Sequence, residues 1–501
     1  MFTCKLLYIA KMEKNMRCLF GIFILVLFFM VNVFASPDKK MKDDESCPQF
    51  HFSLNTPRIS GQSTLVYYEG EYHLFYRDFN FEKENKNILW KHSVSRDLIY
   101  WEPSLLAAVS GERIGTENDC IQFSGSIIVD KNNLTGLKKG AFPTFLCFYT
   151  DNKFCQRMAY SNDKGCTWAK YESNPLIPYN SEEKYENPNV FWYNKGAKYI
   201  MLISRKQGET ENLKGVFIYS SADLFHWKFE SHLSLDVENP NLFCLPVNDQ
   251  KNEYRWIMTG YGSYYFVGQF DGNKFTPESI QKSMDYGLDY FSPQICNGIH
   301  ETDGRTIQIG WINGGRDPQA LYNSQMAFPC ELSMKKDSDG MLLIRKPLSE
   351  LSILHMKERT FENKDLIPGL NKNILNGIKG DCLHIKGVFE IKTANTFGIF
   401  IKYSAKVEKK GIDINYNVKK EVISCLGKTV KLLPEDGKIK LEILIDRTSV
   451  EVFCNGGKVV ITKGMAPDPE SKGLYLYNTG GELFVDNLQV YTLRSVYDKK
   501  K

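Results

Sequence analysis

The sequence predicts an all-β protein, a five-bladed β-propeller followed by a C-terminal β-sandwich. From about residue 50 to 345 the chain is a succession of short segments rich in β-branched and aromatic residues, with almost no helical periodicity. A unit of roughly 50 residues recurs there, and about four strands per repeat of that length is typical of propeller blades. Beyond residue 381 apolar and polar residues alternate without this repeat, which indicates a sandwich.

Each repeat is marked by a Ser-x-Asp turn followed by a tryptophan. Serine and aspartate side chains bond backbone N–H groups in turns, so we predict that each pair stabilises a hairpin connection. The tryptophan is predicted to fill the layer between neighbouring blades. The three copies are Ser95-Arg96-Asp97 before Trp101, Ser161-Asn162-Asp163 before Trp168, and Ser221-Ala222-Asp223 before Trp227.

The first strand of every propeller blade lines a central funnel, so equivalent side chains of different blades converge there. We predict a propeller over residues 48–345. Its innermost strands are expected to begin near Thr64, Ser124, Asn187, Asn239 and Ser292.

The C-terminal region is predicted to form a separate unit. Residues 346–380, rich in Leu, Lys and Asn, are interpreted as a connector. The β-sandwich is predicted over residues 381–495, with alternating strands such as 388–392 and 449–454. The dipeptide Asn455-Gly456 after the second of these strands is a hairpin turn signal.

The N-terminal 36 residues are interpreted as a targeting segment. An uncharged run from Leu19 to Ala35 follows Arg17, and the run ends in a small residue suited to a cleavage site. A cleaved signal peptide predicts a secreted protein; an uncleaved signal anchor, the alternative, predicts a type II membrane protein. Residues 37–47 are predicted to be a charged linker.

Composition excludes several classes of function. The 63 basic and 59 acidic residues give a net charge of +4, too balanced to indicate a nucleic-acid partner. Aromatic residues make up 13% of the chain, which suits half-buried strands and surfaces that stack on sugars. The cysteine spacings do not resemble a metal site, and His51, His73 and His92 are interpreted as core contacts rather than ligands.

Two segments of nearly identical sequence are the strongest candidate for chemistry. Residues 186–191 (ENPNVF) and 238–243 (ENPNLF) are 52 positions apart, which is one blade. Glu186 and Glu238 would therefore face the same funnel, and a carboxylate pair is what glycoside hydrolysis needs. The alternative is that each Glu caps a turn. Asp285 and Asp289 are further candidates, either as funnel carboxylates or as turn residues.

Several motifs together resemble glycoside hydrolase family 32, the invertases and fructan hydrolases, over residues 48–492. They are residues 65–76 (LVYYEGEYHLFY), Trp90 with residues 92–101, residues 123–126 (FSGS), residues 331–335 with Pro347, and residues 446–453 (DRTSVEVF). The resemblance implies a five-bladed propeller with a β-sandwich and a retaining hydrolysis of fructofuranosides without metal or cofactor. It implies an Asp nucleophile, a second Asp that supports the transition state, and a Glu as acid/base.

The sequence departs from this family pattern at the positions that carry catalysis. Gly61 occupies the nucleophile's position, so no covalent intermediate forms there. The Arg-Asp-Pro motif becomes Glu186-Asn187-Pro188, with Asn187 in place of the transition-state-supporting carboxylate. Glu238 keeps the identity of the acid/base. The family's Gln after the second strand is Arg77, while Trp90, Phe123 and Ser124 resemble residues that shape the sugar pocket.

Three functions are consistent with these residues. The first is a secreted derivative of the family in which fructoside hydrolysis is lost or strongly impaired and which binds a carbohydrate or a partner protein. The second is an active glycosidase in which Glu238 is the acid/base and Glu186 the second carboxylate. The third is a structural or protein-interaction module with a closed funnel, filled by an ion-pair cluster of Arg58, Arg77 and Glu186.

Overall fold

A computed structural model describes residues 41–53, 59–79, 88–102, 105–106, 108–109, 125–151, 153–178, 184–205, 214–313, 324–337, 340–368, 373–404 and 410–498. The predicted targeting segment and the first four residues of the predicted linker lie outside these ranges. Within them, no helix has the length and apolar character needed to span a bilayer.

The N-terminal half consists of consecutive antiparallel meanders, as expected for a propeller. The first three form separate sheets ordered β1-β2-β3-β4, β5-β9-β8-β7-β6 and β10-β11-β12-β13. Their strands are β1 (Ile59–Tyr68), β2 (Glu71–Phe79), β3 (Ile88–Ser95), β4 (Leu105–Leu106), β5 (Ala108–Val109), β6 (Gly125–Asp130), β7 (Thr144–Thr150), β8 (Gln156–Ser161), β9 (Thr167–Lys170), β10 (Tyr185–Tyr193), β11 (Lys198–Arg205), β12 (Gly215–Ser221) and β13 (Lys228–Leu233).

Two further meanders share one sheet because β22 bridges them. It pairs antiparallel with β20 and parallel with β14. The strands are β14 (Asn241–Val247), β15 (Gln250–Thr259), β16 (Tyr264–Phe270), β17 (Phe275–Pro277), β18 (Lys282–Ser283), β19 (Tyr290–Ile295), β20 (Ile307–Asn313), β21 (Ser324–Met326), β22 (Cys330–Asp337) and β23 (Gly340–Pro347). One short helix, α1 (His300–Asp303), and the 3₁₀ turns Asn194–Gly196 and Ser349–Leu354 interrupt the strands.

Hydrogen bonds join the innermost segments of several neighbouring meanders. Between β6 and β10, the Val190 N–H donates to Ser126 Oγ (2.8 Å). Between β10 and β14, Asn189 Nδ2 donates to Asn241 Oδ1 (3.2 Å), and Asn241 Nδ2 donates onward to the Pro293 carbonyl on β19 (3.3 Å). After β19, the Asn297 N–H donates a hydrogen bond to the Leu65 carbonyl on β1 (2.9 Å). These contacts place the innermost segments of the meanders side by side, as expected for a propeller.

The Ser-x-Asp turns form as predicted. In the third copy, Ser221 Oγ accepts the Leu224 N–H (2.8 Å), and Asp223 Oδ1 accepts the Phe225 and His226 N–H groups (2.9 and 2.8 Å). Trp227 lies between meanders, edge-on to Phe148 of the preceding one, with ring centroids 5.9 Å apart.

The Ser221→Ala variant tests the contribution of one such turn. It leaves the buried Leu224 N–H without its acceptor, and we expect it to lower the free energy of unfolding by about 1 kcal/mol. Urea unfolding followed by tryptophan fluorescence measures the change. Ser231→Ala, which removes a single hydroxyl bond at the surface, is the control; equal effects of the two variants would contradict a special role for the turn.

The C-terminal half is a sandwich of two antiparallel sheets, ordered β24-β34-β25-β30-β31-β32 and β29-β28-β27-β26-β33. Alternate residues such as Phe389, Phe397 and Ile399 fill the core between them. The strands are β24 (His355–Leu366), β25 (Leu383–Ile391), β26 (Thr396–Ser404), β27 (Lys410–Asn417), β28 (Val422–Cys425), β29 (Lys428–Lys431), β30 (Lys438–Ile445), β31 (Ser449–Cys454), β32 (Val459–Gly464), β33 (Gly473–Thr479) and β34 (Leu483–Leu493).

Strand β24 lies inside the segment 346–380, which the sequence analysis interpreted as a connector. It is an edge strand that pairs only with β34. Of its twelve residues only the last, Leu366, is buried, so the apolar alternation that reveals a strand is missing. The predicted sandwich therefore has one more strand on its N-terminal side than the sequence indicated.

Buried charges join the propeller to the sandwich. His51 lies between two carboxylates of the sandwich, with Nδ1 2.8 Å from Asp446 Oδ2 and Nε2 2.7 Å from Glu451 Oε1, and all three side chains are buried. Asp285 forms a buried ion pair with Arg345 inside the propeller (3.0 Å) and accepts a hydrogen bond from the Thr462 hydroxyl of the sandwich. Because unpaired buried charges are costly, the contacts of His51 and of Asp285 with the sandwich specify how the two halves pack together.

Candidate functional site

Glu186 lies near the start of β10 and is half-buried. Its position pairs with Ser204 across β10 and β11, and the Glu186 carbonyl accepts a hydrogen bond from Ser204 Oγ (2.9 Å). The regular ladder is interrupted immediately afterwards, between Glu186 and Asn189. This irregularity is a β-bulge, a device that re-aims side chains at the rim of a sheet.

Asn187 is the residue at the centre of this bulge. Its backbone is left-handed (φ 61°), a conformation that Asn tolerates better than most residues. The side chain is buried, and its Nδ2 donates to the same Ser204 Oγ (3.3 Å). At this predicted position the chain therefore has a neutral amide that is tied into the framework of the strand.

Glu238 and Asn239 repeat this arrangement one meander later. Glu238 is half-buried, and its carbonyl accepts the Tyr261 N–H (2.6 Å). Asn239 is left-handed (φ 51°) and buried, and its Nδ2 donates to Ser292 Oγ (3.3 Å). Ser292, at the equivalent place on β19, is also left-handed (φ 50°). A left-handed residue therefore recurs at or just before the start of the innermost strand in three successive meanders.

The hydrogen bond between Asn189 and Asn241 shows how Glu186 and Glu238 are placed relative to each other. Each asparagine follows its glutamate by three residues, and the two side chains touch at 3.2 Å. Glu186, on β10, and Glu238, three residues before β14, therefore occupy equivalent positions in neighbouring meanders, as the repeat predicted. Asn189 and Asn241 were not predicted to make this contact, although both lie within the repeated ENPN segment.

The negative charge of Glu238 affects the pKa of the neighbouring Tyr264. Burial together with the negative charges of Asp236 and Glu238 raises the pKa of Tyr264 to about 12. Its hydroxyl donates to the Asp236 carbonyl (3.0 Å). Tyr264 therefore stays protonated at neutral pH and acts as a hydrogen-bond donor close to Glu238.

Gly61 lies within β1, at a register irregularity between Ile59 and Ser63. Ser63 is buried, and its hydroxyl accepts a hydrogen bond from Trp311 Nε1 (3.0 Å), which links β1 to β20. At the predicted nucleophile position, β1 therefore supplies backbone without a carboxylate.

The other predicted pocket residues are only partly described. Arg77 on β2 and Trp90 on β3 are cross-strand neighbours in the backbone register. Phe123 and Ser124 lie outside the described residues. The other two acidic candidates do not join the funnel: Asp285 pairs with Arg345 and accepts the Thr462 hydroxyl of β32, while Asp289 binds Lys463 (2.9 Å). Both act at the boundary between the two halves, because the loop before β19 packs against the sandwich.

Within the described ranges, no group of three or more His, Cys, Asp or Glu side chains is arranged to hold a metal ion. His51, His73 and His92 are buried in the core, as the sequence analysis predicted. His73 Nδ1 and His92 Nε2 are 3.0 Å apart and buried, and burial lowers the pKa of His73 to about 4.

Comparison with known proteins agrees with this architecture. Residues 51–347 match the model of the glycosyl hydrolases family 32 N-terminal domain, and residues 350–492 match that of the family 32 C terminal. The chain is 32% identical to a levanase from Bacillus subtilis, covering 97% of this chain and 76% of the levanase. It is 28% identical to an extracellular exo-inulinase from Aspergillus awamori, covering 90% of this chain and 95% of the inulinase.

Solved structures show the same fold. The crystal structure of the exo-inulinase from Aspergillus awamori superposes with a TM-score of 0.76 at 27% identity, over 91% of this chain and 99% of the inulinase. Fructan 1-exohydrolase IIa from Cichorium intybus superposes with a TM-score of 0.74 at 19% identity, over 90% and 98% of the two chains. With its fold of a propeller and a sandwich, and with both domain models matched in order, the chain belongs to glycoside hydrolase family 32.

Proposed function

We propose that this protein is a secreted, fructoside-binding member of family 32 in which hydrolysis is lost or strongly impaired. The observation that carries the proposal is the substitution of both aspartates that the family pattern expects, by Gly61 and Asn187. Secretion is proposed from the apolar N-terminal run, and the similar inulinases are extracellular proteins.

The loss of hydrolysis follows from the chemistry of a double displacement. A carboxylate must attack the anomeric carbon, and glycine offers no atom for that bond. Asn187 is neutral, so it does not balance the positive charge that develops on the sugar ring in the transition state. Glu238 alone retains the capacity to donate a proton, and groups that act as a catalytic unit lose most of their effect when a partner is removed.

The capacity to bind a sugar is proposed to persist. The framework around the two glutamates is well bonded: Asn187 and Asn239 donate to Ser204 and Ser292, and Asn189 and Asn241 link the neighbouring strands. Half-buried carboxylates beside buried amides offer acceptors and donors suited to sugar hydroxyls. The relatives are named for their action on levan and inulin, which makes fructosides the first ligands to test.

Calorimetric titration of the purified protein with fructose, sucrose and short inulin-type and levan-type oligosaccharides tests this proposal. We expect saturable binding with a dissociation constant below about 1 mM, the range of ordinary enzyme–substrate affinities. Glu238→Gln is expected to weaken binding about tenfold, while Glu301→Gln, an exposed residue on α1, leaves it unchanged. If none of these sugars binds to the folded protein, the sugar-binding form of the proposal fails, and a protein partner becomes the ligand to seek.

One observation favours a second candidate, an active glycosidase. Glu186 and Glu238 are both half-buried and occupy equivalent places in adjacent meanders. In this alternative Glu238 is the acid/base and Glu186 the second carboxylate. Sugar release that disappears in both Glu186→Gln and Glu238→Gln would establish it, and the stereochemistry of the product would distinguish retention from inversion.

A further inference from the structure

The outer face of one sandwich sheet has four aromatic side chains where polar residues are expected. Phe400 and Tyr403 on β26 lie beside Tyr475 and Tyr477 on β33, with ring centroids 5.2 Å (Phe400–Tyr477), 5.4 Å (Tyr403–Tyr475) and 6.5 Å (Tyr475–Tyr477) apart. The opposite face of the same strands is in the core. Outward positions of a sandwich are ordinarily polar, so a cluster of exposed aromatic rings indicates a surface that binds a ligand or a partner molecule. We call these four residues the aromatic platform.

Two backbone features arrange the platform. Lys402 is left-handed (φ 47°) at a register irregularity of β26, and this bulge puts Tyr403 on the same face as Phe400, three residues earlier. Gly398 lies under Tyr477: a Cβ at this position would come within 2.9 Å of the tyrosine hydroxyl. The absence of a side chain at Gly398 allows Tyr477 to lie across the sheet.

Polar groups adjoin the platform on the same face. The Tyr477 hydroxyl donates to both carboxylate oxygens of Asp413 (2.9 and 3.0 Å), and Asn415 Nδ2 donates to Asp413 Oδ2 (2.8 Å). The next residues across the sheet are Ser424 and Thr429, whose hydroxyls are 2.9 Å apart at the surface. The rings thus border a strip of amide, carboxylate and hydroxyl groups.

We propose that the aromatic platform is a second carbohydrate-binding surface, which takes a neutral polysaccharide. Sugar rings have apolar C–H faces that stack on aromatic rings, and hydroxyl edges that bond to groups such as Asp413 and Asn415. The core of a protein interface is depleted of charged residues, whereas the carboxylate residue Asp413 lies directly across from Phe400 on this sheet. The proposal does not depend on the funnel, since it rests on residues of the sandwich alone.

The test is affinity electrophoresis of the full protein in native gels that contain inulin, levan, xylan or a soluble β-glucan. We expect at least one polymer to retard the protein. Tyr475→Ala and Tyr403→Ala should each weaken that retardation about tenfold, because each removes one stacking ring. The matched control is Tyr254→Ala on β15, since Tyr254 is 45% exposed and Tyr475 is 37% exposed. Thermal unfolding midpoints of all variants establish that they are folded.

Each outcome decides the proposal separately from the function of the funnel. Calorimetric binding of short fructosides should be unchanged in Tyr475→Ala and weakened in Glu238→Gln, whereas polymer retardation should show the reverse dependence. Absence of retardation by every polymer would overturn the proposal, as would equal retardation of wild type and both platform variants. A dimer in size-exclusion chromatography that Tyr475→Ala converts to monomer, with no polymer bound, would identify the face as a protein interface instead and would likewise overturn it.

Discussion

Incubated with sucrose, inulin or levan, the protein is expected to release fructose at least about 10⁴-fold more slowly than the Bacillus subtilis levanase under the same conditions. The reason is the simultaneous absence of a nucleophile at Gly61 and of a carboxylate at Asn187. Loss of one member of a catalytic unit ordinarily costs about 10⁴-fold or more, and removal of a second adds little because the members act together. The measurement is fructose released per mole of folded protein.

Three variants distinguish residual catalysis from contamination. Glu238→Gln should leave any trace release unchanged if the funnel is inactive, and Glu301→Gln serves as the control for handling and purity. Release comparable to that of the levanase, abolished by Glu238→Gln, would contradict the proposed loss of activity. Glu186→Gln would then show whether the second carboxylate takes part.

The second large effect is expected at the boundary between the two halves of the protein. His51→Gln should lower the free energy of unfolding by about 3–5 kcal/mol at pH 7, because it leaves two buried carboxylates, Asp446 and Glu451, without their cation. His226→Gln is the control: its ring is exposed and pairs with Asp223 at the surface, where an ion pair contributes less than about 1 kcal/mol. Chemical unfolding followed by fluorescence compares the two.

The same contact predicts a dependence of stability on pH. Burial alone would lower the pKa of His51, but the hydrogen bonds and charges of Asp446 and Glu451 outweigh it and raise the pKa to about 9. A histidine whose pKa is raised on folding stabilises the protein fully below its unfolded pKa of about 6.5, and this contribution is lost as the pH rises through about 9. The difference in stability between wild type and His51→Gln should therefore shrink between pH 6.5 and 9.5.

The contribution of Asp446 to stability depends on pH in the opposite direction to that of His51. Burial tends to raise the pKa of Asp446, but its bonds to His51 and to backbone N–H groups of Gln49 and Phe50 hold the pKa below its usual value. Its contribution is present above pH 4 and is lost as the pH falls through the lowered pKa. A stability difference between wild type and His51→Gln that did not vary with pH would contradict a charged His51 in the folded protein.

Repetition made the propeller and the glutamate pair predictable. A strand period of two, a turn motif recurring every 60 to 66 residues and the repeated ENPN segment are local properties, and each is visible without knowledge of what packs against it. The 52-residue spacing of Glu186 and Glu238 placed them at equivalent positions, and the contact of Asn189 with Asn241 agrees with that prediction.

Contacts between distant segments were beyond a local analysis. Judged by residue type alone, Asp285 and Asp289 were candidates for funnel carboxylates. They instead bind Arg345 and Lys463, in a loop that packs on the sandwich. Strand β24 was hidden because an edge strand buries little and needs no alternation. The aromatic platform requires β26 and β33 to pair, and these strands are about 70 residues apart in the chain.

The sequence by itself determined the fold class, the family and the identity of the residues at positions 61 and 187, because periodicity and residue identity are local. Only the tertiary structure decided that His51 and Asp285 join the two halves, that Asn187 is tied to Ser204, and that four rings share one exposed face. Those features depend on which side chains meet across strands and domains, and pairing at long range is set by the packing of the whole chain.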